Sequence, residues 1–185
     1  KAEAHFRLEA YKKSIASYSN FQNSALASTM PEFKAAFYHI AYAHFKQWDF
    51  GASIAAFESF VGNAHDTDHR LHDAYTRMGD SHYMLKAYSK AITYYERAVE
   101  LWGVDADYAA YQIALAYQQI QNYDQVVERL LEFGTDFSNS TYRDDALYRM
   151  GEAYIKLDQT DEAIAMFTAL QTEFPSSPYV ADSKM

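Results

Sequence analysis

The sequence repeats itself at a fixed distance. Asp73-Ala74-Tyr75-Thr76-Arg77-Met78-Gly79-Asp80 returns 72 residues later as Asp145-Ala146-Leu147-Tyr148-Arg149-Met150-Gly151-Glu152, a shift of two lengths of 36. A second echo pairs Asp136-Phe137-Ser138-Asn139-Ser140-Thr141-Tyr142 with Glu173-Phe174-Pro175-Ser176-Ser177-Pro178-Tyr179, shifted by 37. No other feature constrains the fold as strongly. A unit of this length is one supersecondary element that cannot bury its apolar face alone, so it has to stack on its neighbours.

Small residues mark the register at Ala2, Ala41, Gly79, Ala114 and Gly151, at intervals of 39, 38, 35 and 37. Sixteen residues after each comes a bulky one, Tyr18, Phe57, Tyr95, Leu130 or Phe167, itself preceded four positions earlier by Ser14, Ser53, Ala91, Val126 or Ala163. Small therefore faces large in five units: two helices of a hairpin cross where the small residue lets the backbones approach, and the bulky side chain of the second helix fills the space beside it. Hairpin turns are predicted near Gln47-Trp48-Asp49, Lys86-Ala87, Gln121-Asn122 and Leu157-Asp158-Gln159. Gly103 and Gly134 are placed to end second helices. Pro31 behind Ser28 or Thr29, and Pro178 behind Ser177, are placed to open first helices. No segment has strand periodicity.

The last full unit has Leu147, Met150-Gly151 and Tyr154 on its first helix, Ala163 and Phe167 on its second, and Pro175 after it. That pattern resembles the tetratricopeptide repeat. Departures are the longer spacing and the position three after the bulky residue, usually Ala, which is Phe21, Phe60, Ala98, Phe133 and Leu170. The joint from Glu173 to Tyr179, with its relative from Asp136 to Tyr142, resembles that of bacterial envelope proteins of this family, the outer-membrane assembly lipoproteins and the periplasmic partners of the Tol-Pal system. The resemblance implies an all-α, right-handed solenoid of about five helical hairpins, the first and last incomplete. It also implies protein binding without catalysis, and favours a periplasmic or envelope location over the cytoplasm.

The units fall at 1–30, 31–67, 68–105, 106–140 and 141–177, with 178–185 starting another, and residues 1–185 are read as a single repeat domain. An abbreviated first unit and an unfinished last one are expected of a fragment of a longer repeat chain. Three Pro and six Gly are scattered, leaving no linker. A net charge of −9, with no Lys/Arg cluster along the sequence, argues against a nucleic-acid partner, whose phosphates would need neutralising. No apolar run approaches the roughly 20 residues of a membrane helix, so direct membrane insertion is not expected. With no Cys, thiol and disulfide chemistry are absent.

His65, His69 and His72, with Asp66 and Asp68 between them, have helix-compatible spacing for a divalent metal, but they sit at a joint between units and read as solvated groups rather than a metal site. His5, His44 and His82 occupy the register of Tyr117 and Tyr154 and read as packing residues. Phosphate-loop, dinucleotide, nucleophile-elbow and zinc-protease motifs are missing, so neither enzyme activity nor a cofactor is expected.

Family members take ligands in the concave groove lined by the first helix of each hairpin. Helical periodicity puts Tyr38, Tyr42 and Phe45 on one stripe of the second unit, apart from the inward stripe of Phe37, Ile40 and Ala41. Corresponding positions are Asp73, Asp80, Tyr83 and Met84 in the third unit, Tyr108, Tyr111 and Leu115 in the fourth, and Asp145, Tyr148, Glu152 and Ile155 in the fifth. This aromatic and acidic groove suits a peptide or protein segment with apolar side chains and some positive charge. Against it, Asp73, Arg77 and Asp80, like Asp145, Arg149 and Glu152, have the spacing of local ion pairs. Members that clamp a C-terminal carboxylate carry Lys, Asn and Arg at these positions, so that activity is disfavoured. The alternative role is a structural spacer, or self-association within a larger assembly.

Overall fold

A computed structural model describes residues 1–30 and 32–184, and among them the regular structure is entirely helical. Ten α-helices follow in order: α1 (Ala2–Arg7), α2 (Tyr11–Gln22), α3 (Glu32–Lys46), α4 (Phe50–Asn63), α5 (Leu71–Met84), α6 (Tyr88–Glu100), α7 (Ala106–Gln119), α8 (Tyr123–Asp136), α9 (Arg143–Lys156) and α10 (Thr160–Glu173). Two short 3-10 turns, Ala27–Thr29 and Pro178–Val180, complete them. Consecutive helices pair as hairpins, α1 with α2 through to α9 with α10, and second helices pack on the next first helix at α2/α3, α4/α5 and α8/α9. The chain forms two compact units, Lys1–Gly103 with three hairpins and Val104–Met185 with two.

All five hairpins turn in the same way. Seven residues after each small register residue the backbone enters the left-handed region, at Glu9, Trp48, Lys86, Gln121 and Asp158, with φ between 56 and 62°. There the first helix ends in a paired carbonyl cap. The left-handed residue donates its N–H three residues back, as Lys86 does to Tyr83, and the following residue donates five back, as Ala87 does to His82. Helices usually place glycine there, and these turns do without it. Asp49 and Asn122 then cap the second helices by accepting the N–H of Ala52 and of Gln125.

The small-to-large register is the packing rule of each hairpin. A Cβ built on Gly79 would lie 2.5 Å from the Tyr95 ring, and one on Gly151 the same distance from Phe167. Ser14, Ser53, Ala91, Val126 and Ala163 are all buried, and the two serines hydrogen-bond across the crossing to the carbonyls of Ala2 and Ala41. The core of the first unit gathers Ala41, Phe57, Phe60, Leu71, Ala74 and Met78. That of the second gathers Tyr111, Leu130, Phe133, Leu147, Met150 and Leu170 with smaller neighbours. Each such large apolar side chain contributes about 1.5 to 3 kcal/mol on burial.

Two terminator assignments need correction. Gly134 lies inside α8, which runs on to Asp136, and its carbonyl accepts a hydrogen bond from Arg143. After α6 the left-handed residue is Trp102, while Gly103 is required for closeness, since a Cβ there would come within 2.2 Å of the His72 ring. Ser177 does cap Pro178–Val180, as a 3-10 turn with Pro178 in its opening turn. The helix start expected at Pro31 lies outside the described residues.

Candidate protein-binding face

In the first unit α3 presents Tyr38, Tyr42 and Phe45, and α5 presents Asp73, Asp80 and Tyr83. The hydroxyl of Tyr38 donates to Asp73 Oδ2 at 2.5 Å, and that of Tyr42 reaches Asp73 Oδ1 at 3.5 Å. Arg77 joins the acids, with Nε 3.2 Å from Asp73 and Nη1 2.6 Å from Asp80, and Asp80 also accepts the Tyr95 hydroxyl at 2.8 Å. Its guanidinium lies 5.9 Å from the centre of the Phe45 ring, as that of Arg70 lies over Tyr38 and Phe60.

The second unit builds the same network one double repeat later. Tyr111, three residues before Ala114 as Tyr38 is before Ala41, donates its hydroxyl to Asp145. Arg149 bonds Asp145 at 3.1 Å and Glu152 at 3.3 Å. Tyr142 stacks on Tyr111 and Tyr179 on Tyr148, ring centres 5.2 and 5.1 Å apart. In this register Arg70, 72 residues before Tyr142, holds the equivalent place over Tyr38. The echoed joints bring these rings in: Ser140 and Ser177 accept the N–H of Tyr142 and of Tyr179, and donate to Asp107 and Asp144 at 2.6 and 2.7 Å.

Burial first, and then the carboxylate beside each hydroxyl, raises the pKa of Tyr38 and Tyr111. Both are held as neutral phenols that donate to an acid. A tyrosine and an aspartate 34 or 35 residues apart thus lock adjacent hairpins together.

This changes the expected groove. Tyr111 is only 3% exposed and Asp80 8%, so neither is available as an open contact. Tyr38 and Tyr42 are not separate from the inward stripe, because their rings pack on the buried Phe57 at 5.8 and 6.1 Å, and Tyr38 also on Phe60. A first helix lies against both its own partner and a neighbouring hairpin, and rings as large as these reach the hairpin interior. The carboxylates of Asp73, Asp80, Asp145 and Glu152 are engaged by arginines, the local pairing that the spacing also allowed. Partly open positions are Phe45 and Tyr83 in the first unit and Tyr108, Leu115, Tyr148 and Glu152 in the second, with Met84 and Ile155 exposed. Sequence reasoning passed over Arg70, and it treated Arg77 and Arg149 only as ion-pair partners, although the 72-residue echo carries the last two.

The histidines are dispersed into local contacts. His65 bonds Thr67, and among the described residues no group of three His, Asp or Glu is placed to hold a metal ion. His82 is buried and stacks on Tyr94, ring centres 5.1 Å apart. His39 stacks on Tyr18 in the same way. Burial lowers the pKa of both imidazoles. Their neutral forms therefore fit the fold, and the stability they contribute is present above about 6.5, the unfolded value, and is lost as pH falls below it. A drop in melting temperature between pH 7 and 5 is expected, shallower in His82→Gln. At lower pH Asp68, held at a pKa of about 2 chiefly by its hydrogen bonds to Arg70, gives up its contribution as pH falls from about 4 toward 2. A melting temperature flat from pH 7 to 5 would contradict the buried imidazoles.

Residues 72–101 and 145–177 each match a model of the tetratricopeptide repeat. No curated protein matches the sequence. Among solved structures, one of MamA protein superposes with a TM-score of 0.75 over 100% of this chain and 92% of its own, at 17% identity. YrrB, a TPR protein with an unusual peptide-binding site, gives 0.74 over 99% and 88%, also at 17% identity. MamA from Desulfovibrio magneticus RS-1, from residue 41 to its end, gives 0.70 over 96% and 93% at 16% identity. At such identities the likeness is one of fold: the helical hairpins are those of tetratricopeptide-repeat solenoids. Among the described residues no helix is long and apolar enough to cross a membrane.

Proposed function

We propose that residues 1–185 act as one non-catalytic protein-binding domain that takes a peptide or protein segment along the first-helix faces. The observation that carries this is that each unit by itself presents partly open or exposed aromatic and apolar side chains on its first helices, Phe45, Tyr83 and Met84 in one and Tyr108, Tyr148 and Ile155 in the other, beside an arginine–carboxylate cluster that keeps one net negative charge. Rigid rings flanked by fixed polar groups are what recognition surfaces use. The peptide-binding site of YrrB supports a peptide as ligand class. The preferred segment carries large apolar side chains, with at most a modest preference for positive charge. The joint from Glu173 to Tyr179 supports kinship with envelope proteins of the repeat family, and cell fractionation that finds the protein only in the cytosol would remove that part.

A capture experiment with the chain as bait tests the reading. Tyr83→Ala together with Tyr108→Ala should lose most of the captured partner, since aromatic anchors commonly cost ~2 kcal/mol each. Glu152→Gln should mainly flatten the salt dependence. A second reading, a spacer or assembly module, is favoured by the Tyr38–Asp73 and Tyr111–Asp145 bonds, which spend groove residues on joining hairpins. It takes precedence if the captured partner ignores these substitutions.

A further inference from the structure

The hairpin tips of the two units carry opposite charge. Within four residues of its left-handed hairpin turns at Glu9, Trp48 and Lys86, the first unit exposes Lys12, Lys13, Lys46, Lys86 and Lys90, five of the nine lysines of a chain whose net charge is −9. Opposing them there are Glu9 and Asp49, while Arg7 is paired with Glu3. The second unit exposes Asp124, Asp158, Asp161 and Glu162 at its tips, against Lys156. Among the described residues none of those five lysines or four acids forms an ion pair.

Apolar surface accompanies the charge on both edges. The first unit exposes Leu8, Trp48 and Leu85, Trp48 at 71%. Trp48 sits with φ 62° at a position where the other hairpins have Glu9, Lys86, Gln121 and Asp158, an unusual place for so bulky a residue. Its ring is 5.9 Å from Phe50, and edge-on pairs Phe6–Tyr11, Phe45–Phe50 and Tyr83–Tyr88 brace the three tips. A shallow, open depression of about 340 Å³ lies beside Tyr11, Lys12, Lys13 and Gln47. On the second unit's edge Ile120 and Ile164 are exposed.

We propose that these edges bind each other between copies: the basic, aromatic tip edge of the first unit in one molecule takes the acidic tip edge of the second unit in another. The charges orient the encounter and oppose the repulsion between two acidic chains, while burial of Trp48, Leu8, Ile120 and Ile164 supplies the apolar contribution. Because the two edges differ, the contact is head-to-tail and leaves one edge of each kind free at the ends, so association continues past the dimer unless it closes. It does not rest on the first-helix reading, because its charge reversals fall on second-helix residues, Lys12, Lys13, Asp161 and Glu162, outside the first-helix faces.

Sedimentation velocity of the 185-residue chain across a concentration series tests this. Species beyond the monomer are expected at ~0.1 M salt and should weaken at least ~10-fold at ~1 M, as the screening length falls from about 10 to about 3 Å. Lys12→Glu with Lys13→Glu should abolish association, as should Asp161→Lys with Glu162→Lys, whereas mixing the two variants should restore it, because each still carries the native edge that the other has lost. Trp48→Ala should weaken it without changing its salt dependence. A monomer at every concentration, association untouched by both reversals, or a mixture that stays monomeric would overturn the proposal.

Discussion

Gly151→Leu is expected to collapse the last hairpin, and even Gly151→Ala to cost ~1 to 3 kcal/mol in urea unfolding. A single added carbon would come within 2.5 Å of the Phe167 ring, which is itself 4% exposed. The same holds at Gly79, where the ring is Tyr95, whose hydroxyl is tied to Asp80. Gly51 is the internal control. It also lies within a helix, α4, but nothing stands within 4 Å of its would-be Cβ. Gly51→Ala should therefore stabilise by up to ~1 kcal/mol, from helix propensity alone. Equal effects at Gly51 and Gly151 would mean that the two helices do not cross at the small register residue.

Asp145→Ala should be the most damaging change among the polar residues, at ~2 to 3 kcal/mol, because it strands the buried Tyr111 hydroxyl and takes one of two carboxylates from Arg149. Arg149 is about 31% exposed, so water replaces part of what it loses. Tyr111→Phe keeps the ring in the core and should cost only ~1 kcal/mol. The double variant should then be less damaged than the sum, with a coupling of ~0.5 kcal/mol or more. Asp73→Ala with Tyr38→Phe should repeat the result in the first unit. Strict additivity in chemical denaturation would show that the phenol and the carboxylate are neighbours without being partners.

The hairpins were legible because their causes are local and recur. Gly79 with Tyr95 and Gly151 with Phe167 reveal the crossing in sequence, and the turns at Trp48, Lys86, Gln121 and Asp158 follow from where the first helix must stop. Gly134 misled for a physical reason: glycine ends a helix when the chain needs a positive φ, and there it keeps negative φ inside α8. The site was less legible. Periodicity places Tyr38, Tyr42 and Tyr111 on the first-helix stripe, but how far a phenol sinks depends on the hairpin stacked beside it. The acceptors of the Tyr38 and Tyr111 hydroxyls lie 35 and 34 residues away. The local alternative for the acids, arginines three or four residues off, was visible in spacing and is what forms. The charge difference between hairpin tips needed the turn positions first, since the lysines form no run in the sequence.

Site-specific photo-cross-linking in cell extract reports whether partners are taken along the first helices. A benzophenone side chain placed in turn at Tyr83, Tyr108 and Ile155, and for comparison at the exposed second-helix positions Lys90 and Thr168, reports which face touches the partner. Adducts of one common partner are expected from Tyr83, Tyr108 and Ile155, and none of that partner from Lys90 or Thr168. Adducts confined to Lys90 and Thr168 would contradict it.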